Sequence, residues 1–158
     1  MLVLPEMALT GYIFKDNAAV QHLLEDPYSK EEKASPSLQL AKQLAIRLQC
    51  YVVIGCPVKL SSAHEEVLKD VLHHDARPAD LVNGPTEVPA KDSDGCFNAA
   101  LLVDAQGQLV HVFRKHFSYK DDKTWACEGP GFQCVTLPRF GKVCIAICMD
   151  LNREYLQT

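Results

Sequence analysis

Two periodicities run along the chain, and each predicts a different kind of element. Met1-Leu2-Val3-Leu4 is a short apolar run that stops at Pro5-Glu6, which predicts a buried strand. After the turn residues Thr10-Gly11 and a polar stretch from Glu25 to Lys33, Ser35-Pro36 opens a helix as an N-cap followed by proline at the first helical position. Ala41, Leu44, Ala45 and Leu48 then repeat at i, i+3, i+4 and i+7, the spacing of one buried helix face. Tyr51 to Cys56 is a β-branched apolar run that predicts a buried strand halted by Pro57. Residues 59–95 are polar and turn-rich, as a surface insertion would be, with a short helical turn near Val67 to Leu72. Phe97 to Val103 and Leu109 to Arg114 predict a hairpin closed by the loop 104–108, where Gly107 lies near the end. Cys134 to Leu137 and Val143 to Cys148 repeat the strand-turn-strand pattern around Pro138 to Gly141. In the second of these strands both faces are apolar, as in a strand between layers. The fold class is therefore α/β, with helices layered on a sheet.

Composition narrows the function classes. Of 158 residues 47% are hydrophobic and 23% charged, which excludes disordered, collagen-like and small disulfide-scaffold chains. Sixteen basic against 20 acidic residues, with no basic cluster, leave no electrostatic footprint for nucleic acid or an anionic membrane. No apolar run approaches the ~18 residues of a membrane-spanning helix. Seven cysteines without a Cys-x-x-Cys pair, and no signal peptide, predict a reducing, intracellular, cytoplasmic setting.

Three positions have the chemistry of a reactive site. Glu6 sits at the mouth of the first strand, where partial burial suits a carboxylate to act as general base. Lys115 leaves the Leu109 to Arg114 strand for an aromatic-rich loop and is suited to meet a developing oxyanion. Cys148 ends the last strand, where α/β folds place reactive groups and a neighbouring base can activate a thiol. Each has an ordinary structural alternative: a solvated strand end, a solvated loop start, a small core hydrophobe. Spacing alone does not choose Cys148 over Cys144 or Cys134. Cys50, Cys56, His73 and His74 do not match structural zinc spacing, and no metal is expected.

Taken in order, Leu4-Pro5-Glu6-Met7-Ala8-Leu9-Thr10-Gly11-Tyr12, Phe113-Arg114-Lys115-His116-Phe117 and Ile147-Cys148-Met149-Asp150 resemble the nitrilase superfamily of carbon-nitrogen hydrolases. The strand at 52–55 and the strand carrying Asn98 extend the resemblance over nearly the whole chain. Cys148-Met149-Asp150-Leu151-Asn152 and the loop 121–129 are similar to the fungal protein N-terminal asparagine/glutamine amidases. The resemblance implies an α-β-β-α sandwich. It makes Glu6 the general base, Lys115 the oxyanion-stabilising lysine, Cys148 the nucleophile, Met149 the oxyanion N–H, and Glu128 a second glutamate that holds the lysine. It also implies hydrolysis through a thioester, without cofactor, of N-terminal Asn or Gln in peptides or proteins, feeding the Arg/N-degron route. An acidic pocket for the substrate's α-ammonium is then expected, with Asp122, Glu128 and Asp150 as contributors. A small-molecule ω-amidase and an inactive fragment are the alternatives.

The superfamily's domain is longer than this chain. The resemblance therefore implies one incomplete domain over 1–158, interrupted by the insertion at 59–95, with the strand and helix that precede the Glu6 strand and most of the second sheet missing. Exposed apolar sheet surface is the expected consequence.

Overall fold

A continuous apolar strand is stable only where both of its faces are covered, and Val52–Leu60 lies in such a place. A computed structural model describes residues 1–60 and 95–152. In it β1 (Leu2–Val3), β2 (Val52–Leu60), β3 (Gly95–Val103) and β4 (Leu109–Arg114) form a sheet in the order β1-β2-β3-β4. β1 runs parallel to β2, and the other neighbours are antiparallel. The short helix α1 (Asn17–Val20) precedes the long α2 (Pro36–Leu48). α2 packs Leu38, Ala41 and Ala45 on the sheet face formed by Val52, Ile54, Cys56, Leu101 and Val112. Side chains alternate along a strand, so Val53, Ala100, Leu102 and Phe113 face the other way. They are covered by Leu137 of β5 (Cys134–Leu137) and by Ile147. β5 pairs antiparallel with β6 (Gly141–Cys144). The layers are thus helix, sheet and hairpin, a mixed α/β arrangement.

Four expectations from the sequence change. Leu48 is exposed and Leu38 takes its place, so the buried stripe of α2 is set back by about one turn toward its N-terminus. Pro57 does not end its strand. Leu4 N–H bonds Val53 C=O and Gly55 N–H bonds Pro5 C=O, so the backbone groups of odd-numbered residues in β2 face the β1 side. Pro57 falls on that side beyond the end of β1, where its missing N–H leaves no ladder bond unmade. β1 is an edge strand with Val3 65% exposed, rather than a buried one. β6 stops at Cys144 instead of continuing to Cys148, and Cys144 and Cys148 are exposed, so this segment is not sandwiched between layers. Of the predicted insertion at 59–95, Lys59 and Leu60 belong to β2 and Gly95 to β3. Its remainder and the helical turn at Val67 to Leu72 lie outside the described residues.

The start of α2 is held by a residue that pattern alone did not single out. Ser35 occupies the N-cap and Pro36 the first turn, yet the Ser35 side chain makes no capping bond. The buried Glu25 carboxylate accepts Ser37 N–H at 3.0 Å, Ser37 Oγ at 2.6 Å and Ser35 Oγ at 2.7 Å. A negative charge at the positive end of a helix, with three donors, compensates the loss of water. Glu25 is itself tied to the sheet: its N–H bonds Pro57 C=O and its C=O accepts Lys59 N–H. One residue therefore joins helix and sheet. No helix among the described residues is long and apolar enough to cross a membrane.

Candidate active site

The site gathers at the end of the sheet where the chain leaves β1 and β4 and where β3 begins. Leu4, Pro5 and Ala8 bond the β2 backbone at Val53 and Gly55, which carries Glu6 along the sheet edge just past β1. This path needs glycine at position 55: a Cβ there would lie 2.6 Å from Glu6 Cα and 2.8 Å from both Met7 N and Pro5 O. Asn98 is on β3 opposite Pro57. Lys115 directly follows β4, and its N–H bonds Asn98 C=O at 2.8 Å. Gly129 N–H in turn bonds Lys115 C=O at 2.7 Å, and a Cβ at 129 would strike Arg114 O at 2.5 Å.

Four side chains close a ring. Lys115 Nζ lies 2.8 Å from Glu6 Oε1 and 2.7 Å from Asp122 Oδ2. Asn98 Nδ2 donates one N–H to Glu6 Oε1 at 2.7 Å and the other to Asp122 Oδ1 at 3.0 Å. The two carboxylates dictate the amide's orientation, because the flipped form would set a carbonyl oxygen against both. Asn98 Oδ1 is left buried without a hydrogen-bond partner among the described residues. Tyr12 Oη and Tyr119 N–H complete the shell of Asp122 at 3.3 and 2.8 Å, and the Tyr12 ring lies beneath the ammonium. Burial opposes the charge on Lys115, but the hydrogen bonds and charges of Asp122 and Glu6 outweigh it and raise its pKa above the usual lysine range. The Tyr12 phenol is pushed up to about 12, mainly by burial.

Cys148 opens a one-turn 3-10 helix, Cys148–Leu151, with φ of 48°. Left-handed backbone at a non-glycine residue costs of order 1–3 kcal/mol and persists only where its surroundings hold it. Asp150 provides the hold: Oδ2 accepts Ile147 N–H at 3.0 Å, while Oδ1 accepts His116 and Phe117 N–H at 3.0 and 2.7 Å. The turn is thereby fastened to the segment that carries Lys115. Desolvation pushes the Cys148 thiol above its usual range, the Glu6 charge and a hydrogen bond to Glu6 add to this, and Lys115 and Met149 N–H oppose it.

The structure therefore draws Glu6, Lys115 and Cys148 together, with Met149 N–H beside the sulfur. Its treatment of the acidic residues differs from the sequence expectation. Asp122 is 1% exposed and Asp150 2%, with their oxygens engaged inside the protein, so neither carboxylate is presented to a ligand. Glu128, expected to hold the lysine, is exposed and accepts only a long 3.4 Å bond from Ser118 N–H; Asp122 is the second carboxylate at Lys115. Asn98 was visible only as an asparagine in a strand. A buried polar residue in the middle of an apolar run is the signal that marks it. No three His, Cys, Asp or Glu side chains among the described residues are placed to share a metal ion.

The sequence pattern of the carbon-nitrogen hydrolases matches residues 1–154. The chain belongs to that family. Among the relatives of this carbon-nitrogen hydrolase chain, the protein N-terminal amidase of Schizosaccharomyces pombe is 33% identical over 155 residues, covering 96% of the chain and 43% of the relative. The protein N-terminal amidase of Saccharomyces cerevisiae is 28% identical over 172 residues, covering 96% of the chain and 29% of the relative. The chain thus spans less than half the length of either. A crystal structure of an N-terminal amidase with an Asn-Glu peptide superimposes with a TM-score of 0.67 at 25% identity, over 99% of this chain and 32% of that one. Saccharomyces cerevisiae Nit3, at 19% identity and a TM-score of 0.59, covers 98% of this chain and 44% of its own and shares the fold.

Proposed function

We propose that this carbon-nitrogen hydrolase chain carries the reacting groups of an amidohydrolase that converts N-terminal Asn or Gln of peptides to Asp or Glu and releases ammonia. The observation that supports this most directly is Lys115 Nζ paired with Glu6 Oε1 at 2.8 Å, with both groups close enough to act electrostatically on the Cys148 thiol. A thiol held neutral at rest needs a base at the moment of attack, and Glu6 is placed to be that base.

In this reading Glu6 takes the Cys148 proton as sulfur adds to the side-chain amide carbon. Lys115 and Met149 N–H meet the oxyanion, each donor of this kind being worth about 3–4 kcal/mol. The tetrahedral adduct collapses to a thioester as ammonia leaves with the proton from Glu6. Glu6 then deprotonates the water that cleaves the thioester. Asp122 and Asn98 are positioning residues, keeping Lys115 and Glu6 aligned. Of the three acidic side chains considered for the substrate's α-ammonium, Glu128 alone has an exposed carboxylate, and the role falls to it. The amidases among the relatives support the substrate class; solved N-terminal amidases hold Asn-Glu and Gln-Gly peptides.

Ammonia release from Asn-Glu and Gln-Gly peptides, compared between the chain and Cys148→Ala, tests the proposal. Turnover by the parent and none by the variant is expected. Equal background from both overturns the enzyme reading, and faster turnover of dicarboxylic acid ω-amides than of either peptide overturns the substrate class.

A further inference from the structure

Two thiols outside the reactive site face each other across the second hairpin. Cys134 on β5 and Cys144 on β6 are directly opposite partners in the antiparallel register, and both are exposed. Opposed residues in an antiparallel pair have Cα atoms about 4.5–5.5 Å apart, within the range of about 4.4–6.8 Å that disulfides span. Small side-chain rotations therefore separate the reduced pair from a bonded one. The two thiols interact closely enough for Cys134 to raise the Cys144 pKa. From the other end of β6 the register is pinned by Leu137 opposite Gly141 and by Phe140 N–H bonding Leu137 C=O, so the cysteines cannot slip past one another. Of the other cysteines, Cys50 and Cys56 lie on the helix and sheet side, Cys148 lies beyond the end of β6, and Cys127 sits beside Cys96, its N–H bonding Cys96 C=O at 2.8 Å.

We propose that Cys134 and Cys144 form a dithiol site that exchanges with small-molecule disulfides and closes into a reversible cross-strand disulfide. The Cys134 thiolate attacks one sulfur of the small disulfide, forms a mixed disulfide and releases one thiol. Cys144 then gives its proton to solvent, attacks Cys134 Sγ and expels the second thiol. Two protein thiols are oxidised and one small disulfide is reduced to two thiols, so electrons and protons balance. Burial, with Cys134 and Asp150 acting in the same sense, raises the Cys144 thiol to about 11, so its closing attack speeds up as pH rises. The closed bond would fix the hairpin four residues before Cys148.

The test incubates the whole chain with oxidised glutathione, caps remaining thiols with N-ethylmaleimide and maps non-reduced tryptic peptides by mass spectrometry. Cleavage after Lys123, Arg139, Lys142 and Arg153 places Cys127 with Cys134 on peptide 124–139 and Cys144 with Cys148 on peptide 143–153. Fragment ions between the two cysteines of each peptide then identify the bonded atoms. The expected result is a dominant 134–144 cross-link that dithiothreitol removes and that forms faster as pH rises. In Cys144→Ser the reaction should stop at a glutathione adduct on Cys134. A glutathione adduct persisting at Cys134 in the parent chain, or a dominant bond from Cys134 to any other cysteine, overturns the proposal, as does a Cys134 that stays fully reduced while Cys127 or Cys148 reacts.

Discussion

Asp122 Oδ2 lies 2.7 Å from Lys115 Nζ, and both side chains are almost fully shut off from solvent. A buried charge pair of this kind is costly to break from one side. Asp122→Asn is therefore expected to lower the melting temperature and to cut kcat for ammonia release about a hundredfold, because Lys115 loses the anchor that aims it. Glu128→Gln should leave the melting temperature and kcat near the parent values and raise KM for peptides with a free α-amino group. Steady-state kinetics with free and N-acetylated peptides, run beside thermal denaturation, separate the two carboxylates.

Gly55→Ala probes the path of the chain at Glu6. The added Cβ meets three backbone atoms of Pro5, Glu6 and Met7, and backbone cannot rotate away as a side chain can. A loss of about 1–3 kcal/mol is expected, together with a fall in kcat larger than the stability loss accounts for, since Glu6 itself is displaced. Urea unfolding and kcat at a temperature where the variant is fully folded provide the comparison.

Glu25→Ala removes the acceptor for three donors at the start of α2. Buried hydroxyl and amide groups left unpaired, with a charged acceptor lost, should cost about 2–4 kcal/mol. Glu25→Gln keeps one acceptor oxygen and should fall between Glu25→Ala and the parent. Because the Glu25 carboxylate bonds Ser35 and Ser37 at the start of α2 and no side chain of the ring, folded Glu25→Gln should retain the parent's KM. Urea titration followed by helix signal measures the first two expectations and peptide kinetics the third.

His111 gives the fold a pH dependence of known sign. Burial on β4 lowers its pKa below 6.5, with a Gln133 hydrogen bond partly opposing and Arg114 reinforcing the shift. Between that lowered value and 6.5 the unfolded chain binds a proton that the folded chain does not. Stability from this residue is thus complete above pH 6.5 and is lost as pH falls through the window. Denaturant unfolding at pH 7.5 and 5.5 should show a larger loss for the parent than for His111→Leu. Equal losses would place the pH dependence elsewhere.

Much of this arrangement was legible in the order of residues. The strand-like runs at 97–103 and 109–114 and the glycine-containing loop between them predict a hairpin, and the structure forms one from Ala99 opposite Arg114 to Val103 opposite Leu109, with a register shift between Leu102 and Val103. Local pattern suffices there because a short loop leaves two consecutive strands little choice but to pair with each other. It failed at Pro57, where the deciding fact is which side of the strand has a neighbour, and at Leu48, where the facing sheet selects the stripe of α2. It failed again after Cys144, where an apolar run with strand propensity has no pairing partner among the described residues.

The reactive groups divide in the same way. In the sequence, local signals such as Pro5, the polar break after Arg114 and the apolar run before Met149 made Glu6, Lys115 and Cys148 candidates at the ends of predicted strands, and only the resemblance to carbon-nitrogen hydrolases set Cys148 apart from Cys144 and Cys134. Only the tertiary structure decided which acidic residue serves the lysine. Asp122 and Glu128 lie in one loop and look alike in one dimension, and either could face the ammonium. Packing of Tyr12, Asn98 and the Tyr119 backbone around Asp122 settles it, since a buried carboxylate is tolerable only where several donors and a cation converge, and that convergence is a property of the folded sheet.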